Sequence, residues 1–126
     1  MALVAGCSNP VAPDQYVPLT GTVCVVVSGI DTTGATIRVK GATVNITPKA
    51  MPGEVNPGVN LVTDGNGETA PWTYDKFAGL VRKDGTVDPT KSAGIWVTLP
   101  GWSENRLQYS FVGDTLRADP AIAQQP

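Results

Sequence analysis

The chain has 126 residues, of which 41% are hydrophobic and 16% are charged, and its formal net charge is -2. This length and composition predict one folded domain and exclude a disordered segment. Nine basic residues against eleven acidic ones, with no basic block, argue against nucleic-acid binding, and the longest apolar run, residues 23–27, is too short to span a membrane.

Residues 1–18 are predicted to form an extended N-terminal arm. Three prolines in this segment fix the backbone and lack the N–H group that a central strand needs. A fully extended arm of that length reaches about 60 Å. Because this distance exceeds the size of its own domain, we expect the arm to contact a neighbouring subunit, with the candidate contacts Pro10, Pro13, Tyr16 and Pro18.

Cys7 ends the sequence Val4-Ala5-Gly6-Cys7, which resembles the lipobox of bacterial lipoproteins, where the cysteine is acylated. A signal peptide also needs a positive charge and an apolar stretch of about 7–15 residues before the cleavage site. Residues 1–6 hold neither, so the alternatives are a chain cut from a longer precursor and a chance match. Cys7 is a candidate lipid anchor, and Cys24 is predicted to be a buried thiol, with a disulfide between them as the alternative.

The domain itself is predicted to extend from residue 19 to residue 113 and to contain seven or eight strands. Val23, Val25 and Val27 alternate with apolar neighbours, which is typical of a central strand covered on both faces. Residues 36–40 and 42–47 follow as two strands with one apolar face each.

The middle of the domain is predicted to contain a long loop and a hairpin. Residues 49–58 hold two Pro-Gly pairs and form a loop of about ten residues. Asp64-Gly65-Asn66-Gly67 is a tight-turn sequence that joins a strand at 59–63 to a strand at 69–77. A second polar loop follows at residues 82–89.

Two further strands are predicted near residues 95–99 and 106–111, where apolar side chains again alternate with polar ones. Residues 114–126 are polar and end in proline, so they are predicted to form a second extended tail with Leu116 and Ile122 as candidate partner contacts. No segment has the apolar spacing of a helix. The pattern as a whole predicts an all-β, immunoglobulin-like antiparallel sandwich with arms at both ends.

Four short motifs between residues 19 and 111 carry a family resemblance. They are Gly21-Thr22-Val23, the strand at 41–46, the turn at 63–67 and Leu99-Pro100-Gly101. This region resembles the carboxypeptidase regulatory-like, or transthyretin-like, group of immunoglobulin-like sandwiches. It departs from that group in the insertions at 49–58 and 80–93.

The resemblance implies a binding or scaffolding module rather than an enzyme, and similar domains occur in phage virion proteins. The motif positions are structural, so the resemblance transfers no functional residue to this chain.

The sequence lacks histidine, the residue type on which many catalytic and metal sites depend. This absence removes the serine and cysteine triads and the common zinc sites. The acidic pairs Asp64/Glu68 and Asp84/Asp88 occur in turn sequences, where solvated loop carboxylates are the ordinary interpretation. A calcium loop starting at Asp64 would need glycine at its sixth position, where Thr69 stands. We therefore predict no enzyme, cofactor or metal.

The sequence predicts a structural virion protein, that is, a bacteriophage capsid decoration or tail-associated protein that binds neighbouring subunits, with a homo-oligomer as a further option. The first alternative is a domain of the bacterial cell envelope anchored at Cys7, the only case in which the chain would contact a membrane. The second is a carbohydrate-binding module. Trp72, Trp96 and Trp102 suggest it, since exposed indole rings stack on sugars. Trp96 and Trp102 are also candidate contacts with a protein partner.

Overall fold

The described residues, 15–55, 58–88 and 91–126 of the computed structural model, form eleven β-strands and no helix. The all-β prediction is confirmed, but the strands outnumber the seven or eight predicted, because four short ones at residues 28–30, 87–88, 115–118 and 121–123 lack a clear alternation of their own. The strands are β1 (Gln15–Val25), β2 (Ser28–Ile30), β3 (Thr36–Arg38), β4 (Thr43–Pro48), β5 (Val59–Val62), β6 (Trp72–Val81), β7 (Val87–Asp88), β8 (Ser92–Thr98), β9 (Asn105–Ser110), β10 (Thr115–Ala118) and β11 (Ala121–Ala123).

Two layers of strands pack face to face. The first layer has the order β10-β1-β6-β7 and continues into the small sheet β11-β2-β3, while the second layer has the order β5-β4-β8-β9. The two parts of the first layer are continuous, because the Val26 N–H donates to the Ala118 carbonyl (2.9 Å) and the Ser28 N–H donates to the Pro120 carbonyl (3.1 Å). The sandwich architecture is therefore confirmed.

The core lies between the layers and follows the predicted alternation of side chains. The predicted inward residues of β1, β4 and β8 are 0–1% exposed, and together they form one cluster with Phe77. These residues are Val23, Val25, Val44, Ile46, Ile95 and Val97. On the outer face of β1, Cys24 is half-buried rather than fully buried as predicted.

The predicted C-terminal tail is wrong, because residues 114–126 contribute β10 and β11 to the first layer. β10 pairs with β1 and β11 pairs with β2, and both pairings are parallel, whereas the prediction was an antiparallel sandwich throughout. Leu116 and Ile122 are each 2% exposed and belong to the core cluster. They were predicted as partner contacts, but their burial removes both from the candidate interaction surface.

The boundary of the predicted N-terminal arm also moves, because β1 begins at Gln15 and pairs with β6 from there. Pro18 has no N–H group but is tolerated inside β1, because the backbone groups of its partner Ala78 point away from β1. The Ala78 N–H donates to the Lys49 carbonyl (2.9 Å), so the pair does not require a hydrogen bond from Pro18. Tyr16 in the same strand is 44% exposed. Pro10, Pro13 and Cys7 lie outside the described residues.

The predicted hairpin between β5 and β6 is also wrong. The turn at residues 64–67 forms, with the Gly67 N–H donating to the Asp64 carbonyl (2.9 Å). However, β5 pairs with β4 in the second layer and β6 pairs with β1 in the first. The turn therefore carries the chain from one layer to the other.

The polar loop predicted after residue 80 instead contains a real hairpin. In it, β7 pairs with the end of β6, and the Gly85 N–H donates to the Arg82 carbonyl (2.9 Å).

Candidate functional site

The outward side of the second layer carries the polar face that we call the outer face. Strand alternation places Thr43, Asn45 and Thr47 of β4 on this side, since Val44 and Ile46 point into the core. The neighbouring strands bring Asn60 and Trp96 beside Asn45 in one cross-strand row, and Arg106 lies next to Trp96 in the same row.

Trp96 is the large aromatic side chain of this face. It is 38% exposed, and the Arg106 guanidinium lies 5.0 Å from the centre of its ring. A cation over an indole ring at this distance is attracted by the negative ring face. Arg106 therefore holds the indole in place while leaving part of it open to solvent.

Two hollows lie in the outer face, and Trp96 and Asn45 line both of them. The Gly94 hollow, of about 400 Å³, is further bounded by Thr47, Gly94, Arg106 and Gln108. The Thr98 hollow, of about 290 Å³, is further bounded by Thr43, Asn60 and Thr98. The first exists because Gly94 has no side chain to fill the space beside Trp96.

Hydrogen bonds within the outer face fix its amide groups. Asn45 Nδ2 donates to Asn60 Oδ1 (3.0 Å), and Thr47 Oγ1 donates to Asn45 Oδ1 (2.9 Å). Gln108 Nε2 donates to Ser92 Oγ (3.2 Å) at the far end of the Gly94 hollow. Each amide is thereby held in one orientation and keeps further hydrogen-bonding capacity for a ligand.

The three tryptophans do not form the row of exposed rings that the sequence suggested. Trp72 is half-buried and stacks on Tyr74, with ring centres 5.4 Å apart. Trp102 is half-buried against the core, and a Cβ atom on Gly29 would lie 2.5 Å from its ring. Of the three tryptophans, which all lie in the described residues, Trp96 alone is exposed on an open face.

The edge strand β9 is the second candidate surface. The Phe111 N–H donates to the Lys91 carbonyl (3.0 Å), which makes this a hydrogen-bonded pair at the end of the β8–β9 ladder. Hydrogen-bonded and non-hydrogen-bonded pairs alternate along an antiparallel ladder. The N–H and carbonyl groups of Arg106, Gln108 and Ser110, which belong to the non-hydrogen-bonded pairs, therefore point away from β8. Among the described residues, no strand pairs with that outer side of β9.

Lys91 is a buried charged residue with a structural explanation. Its side chain is 5% exposed, and Nζ donates to the Thr20 carbonyl (2.9 Å). The same nitrogen lies 3.6 Å from Asp114 Oδ1 and 5.0 Å from the centre of the Phe111 ring. Lys91 therefore ties the start of β8 to β1 in the opposite layer.

The acidic pairs show no arrangement suited to acid–base chemistry. Asp64 Oδ1 accepts the N–H groups of Asn66 (2.8 Å) and Glu68 (3.0 Å), so it stabilises the turn. Asp88 pairs with Arg82 at the surface. Within the described ranges, no three His, Cys, Asp or Glu side chains come together as metal ligands, and no helix is long and apolar enough to cross a membrane.

The burial of two tyrosines shifts their titration. Burial raises the pKa of Tyr74 in the aromatic cluster of β6, and it likewise raises the pKa of Tyr109 on β9. Both groups stay protonated and neutral at physiological pH, so neither supplies a charge to the candidate surfaces.

Comparison with known proteins gives a likeness in fold. No family model and no curated protein matches the sequence. Among solved structures, the shaft pilin SpaA of Lactobacillus rhamnosus GG is similar at a TM-score of 0.51 with 15% identity, over 86% of this chain and 52% of the pilin. The likeness is to the fold alone. The chain spans about half the length of that pilin.

Chlorocatechol 1,2-dioxygenase from Pseudomonas putida is similar at a lower TM-score of 0.46 with 13% identity, over 85% of this chain and 61% of the enzyme. The likeness to the pilin domain supports the β-sandwich fold, while membership of the carboxypeptidase regulatory-like group stays a prediction.

Proposed function

We propose that this chain is a non-enzymatic structural subunit of a larger assembly and that it binds its neighbours by adding a strand to a sheet edge. The observation that carries the proposal is the open edge of β9, six residues long. In strand addition, main-chain hydrogen bonds supply the affinity, and alternate side chains supply the specificity.

The backbone of β9 is suited to receive a strand. Arg106, Gln108 and Ser110 direct their N–H and carbonyl groups outward at every second position, which is the pattern that an antiparallel or parallel partner strand needs. Folded proteins usually shorten, cover or charge such edges. An edge of this length favours a partner in the assembled state.

Leu107 supports the same interpretation. It lies opposite Ile95, which is fully buried, and so belongs to the inward side of the second layer, yet it is 54% exposed. The exposure arises because no strand in the described structure extends the layer beyond β9. An apolar side chain on an added strand would cover Leu107.

The donor we propose is residues 1–14 of a neighbouring copy. These residues immediately precede β1 and, fully extended, reach about 45 Å. Residues 2–6 are apolar or small and lack proline, so they suit the strand itself, while Pro10 and Pro13 suit a linker to β1.

The assembly we propose first is a virus particle, as a bacteriophage capsid decoration or tail-associated protein. The bacterial cell envelope, with Cys7 as anchor, is the alternative.

The test uses two variants that separate the donor from the acceptor. Deleting residues 1–14 removes the donor, and Ser110→Pro removes an outward N–H group from the acceptor without breaking the β8–β9 ladder. We expect the full chain to self-associate and each variant alone to be monomeric. A mixture of the two variants should form a one-to-one complex, measured by light scattering after size-exclusion chromatography.

Val62→Pro is the matched control. It places proline on β5, which is the opposite edge of the same sheet. In the register of the β4–β5 ladder the N–H group of Val62 points outward, as that of Ser110 does on β9. This variant should associate like the unmodified chain. A full chain that stays monomeric at high concentration, or a Ser110→Pro variant that associates normally, would contradict donation between copies.

A further inference from the structure

We propose that the outer face around Trp96 binds an oligosaccharide, with one pyranose ring in the Gly94 hollow and the next in the Thr98 hollow. This activity goes beyond assembly, because it uses the face of the second layer rather than its edge. The proposal depends on the position of the indole between two polar hollows.

The indole supplies the apolar part of the recognition. A pyranose ring has one face lined by C–H groups, which packs on an aromatic surface, while its hydroxyl groups stay in contact with water or polar side chains. Trp96 is exposed enough to contact such a ring, and Arg106 holds it from one side. Since the indole lines both hollows, it can contact two successive sugar rings.

The hydrogen-bonding groups of the hollows suit hydroxyl groups. A hydroxyl both donates and accepts, and the hollows offer both functions through amides, threonine hydroxyls and a guanidinium. Asn45 already holds Asn60 and Thr47 in a fixed chain of hydrogen bonds, so little side-chain entropy is lost when a ligand binds.

The chemistry of the lining favours a sugar over a protein partner. Protein interfaces concentrate their affinity in buried apolar and aromatic anchors. Among the described residues that line the hollows, the apolar ones besides Trp96 are Ile95 and Leu107, and both direct their side chains to the inward side of the layer. Arg106 is the ionisable residue among those described linings, so neutral and acidic sugars both fit.

Two substitutions test the site without disturbing the core. Trp96→Ala removes the stacking surface. Gly94→Val fills the Gly94 hollow, where an added Cβ meets only the flexible end of Gln108 at 3.3 Å and the Thr47 carbonyl at 3.9 Å. Valine also favours an extended strand over glycine, so Gly94→Val should keep or raise the thermal stability.

The experiment screens the full chain on a glycan array with neutral, uronate-containing and sialylated oligosaccharides, and then titrates the best-retained one by calorimetry. We expect Trp96→Ala and Gly94→Val each to weaken binding about tenfold or more, as for the loss of a central contact. Val62→Ala, on the same face but outside both hollows, should bind normally.

The results of the glycan-binding experiment can be distinguished from those of the self-association test. The deletion of residues 1–14 should bind the sugar as the full chain does, because it leaves both hollows intact. No retained glycan on the array, or a retained glycan whose affinity is unchanged in both Trp96→Ala and Gly94→Val, would overturn the proposal even if the β9 edge proves to be an assembly site.

Discussion

Asp31 and Asp84 each close a turn by accepting hydrogen bonds from a threonine two residues later. Asp31 Oδ1 accepts from the Thr33 N–H (2.9 Å), the Thr33 hydroxyl (2.5 Å) and the Ala35 N–H (3.0 Å). Asp84 Oδ1 accepts from the Thr86 N–H (2.9 Å) and hydroxyl (2.6 Å). Hydrogen bonds favour the charged carboxylate, and the threonine hydroxyl is the largest cause that lowers the pKa of each group below 3.8.

These pKa shifts predict an acid-sensitive contribution to stability. Because both pKa values are lowered by folding, the contribution is fully present above the unfolded value of 3.8 and is lost as the pH falls through the folded values. Replacing Asp31 and Asp84 together by Asn keeps acceptors but removes the titration. Urea unfolding from about pH 5 to pH 2 should show a shallower loss of stability in the double variant. Identical acid dependence in both proteins would contradict this assignment.

At the level of strands, Gly29 of β2 explains why Trp102 is not a free surface residue. A Cβ atom there would lie 2.5 Å from the Trp102 ring and 2.6 Å from Val39 Cγ2. The missing side chain lets the segment after β8 close over β2, and the Trp102 N–H donates to the Leu99 carbonyl (3.0 Å) within it. This close approach holds Trp102 against the core.

Gly29→Ala should therefore destabilise the fold by about 1–3 kcal/mol through overpacking. The measurement is the free energy of unfolding in urea, followed by tryptophan fluorescence. Gly65→Ala is the matched control, because an added Cβ there meets nothing within 4 Å, and its cost should stay within about 0.5 kcal/mol. Equal stability of the two variants would show that Trp102 does not pack on β2.

The strands that could be predicted from the sequence are those whose side chains alternate between a buried and an open face. β1, β4 and β8 could be predicted because apolar side chains that point into the core stand at every second position in their sequences. Strand pairing could not be predicted, since the turn at Asp64 encodes a reversal of the chain but not which strand comes next to it. Residues 115–123 were missed because short stretches that hold only Leu116 and Ile122 as large apolar residues give no periodic signal.

The candidate site was only partly predictable for the same reason. Trp96 could be predicted to face outward because its two sequence neighbours in β8, Ile95 and Val97, point into the core. Asn45, Gly94 and Arg106 come together only across β4, β8 and β9, and no local pattern encodes that row. The alternation of outward and inward residues in β4 and β8 predicts an outer face, but it does not predict the hollows in that face.

For the whole molecule, we expect the two ends of the chain to contribute differently to the free energy of unfolding. Ile122 is 2% exposed in the core, so Ile122→Ala should lower the free energy of unfolding by about 2–5 kcal/mol. If residues 1–14 bind a neighbouring copy as proposed, deleting them from the monomeric Ser110→Pro variant should leave its free energy of unfolding nearly unchanged. Chemical denaturation of both proteins checks this contrast, and a mild Ile122→Ala effect would mean that β11 does not complete the core.

The parallel pairing of β1 with β10 and of β2 with β11 also determines how the domain would respond to tension. A pull applied through Gln15 at one end and Pro126 at the other acts along neighbouring strands in opposite directions. The four registered pairs of β1 with β10 and the three of β2 with β11 are then loaded in shear, all together, rather than opened one after another like a zipper. A domain built in this way should resist unfolding under tension until these pairs separate together.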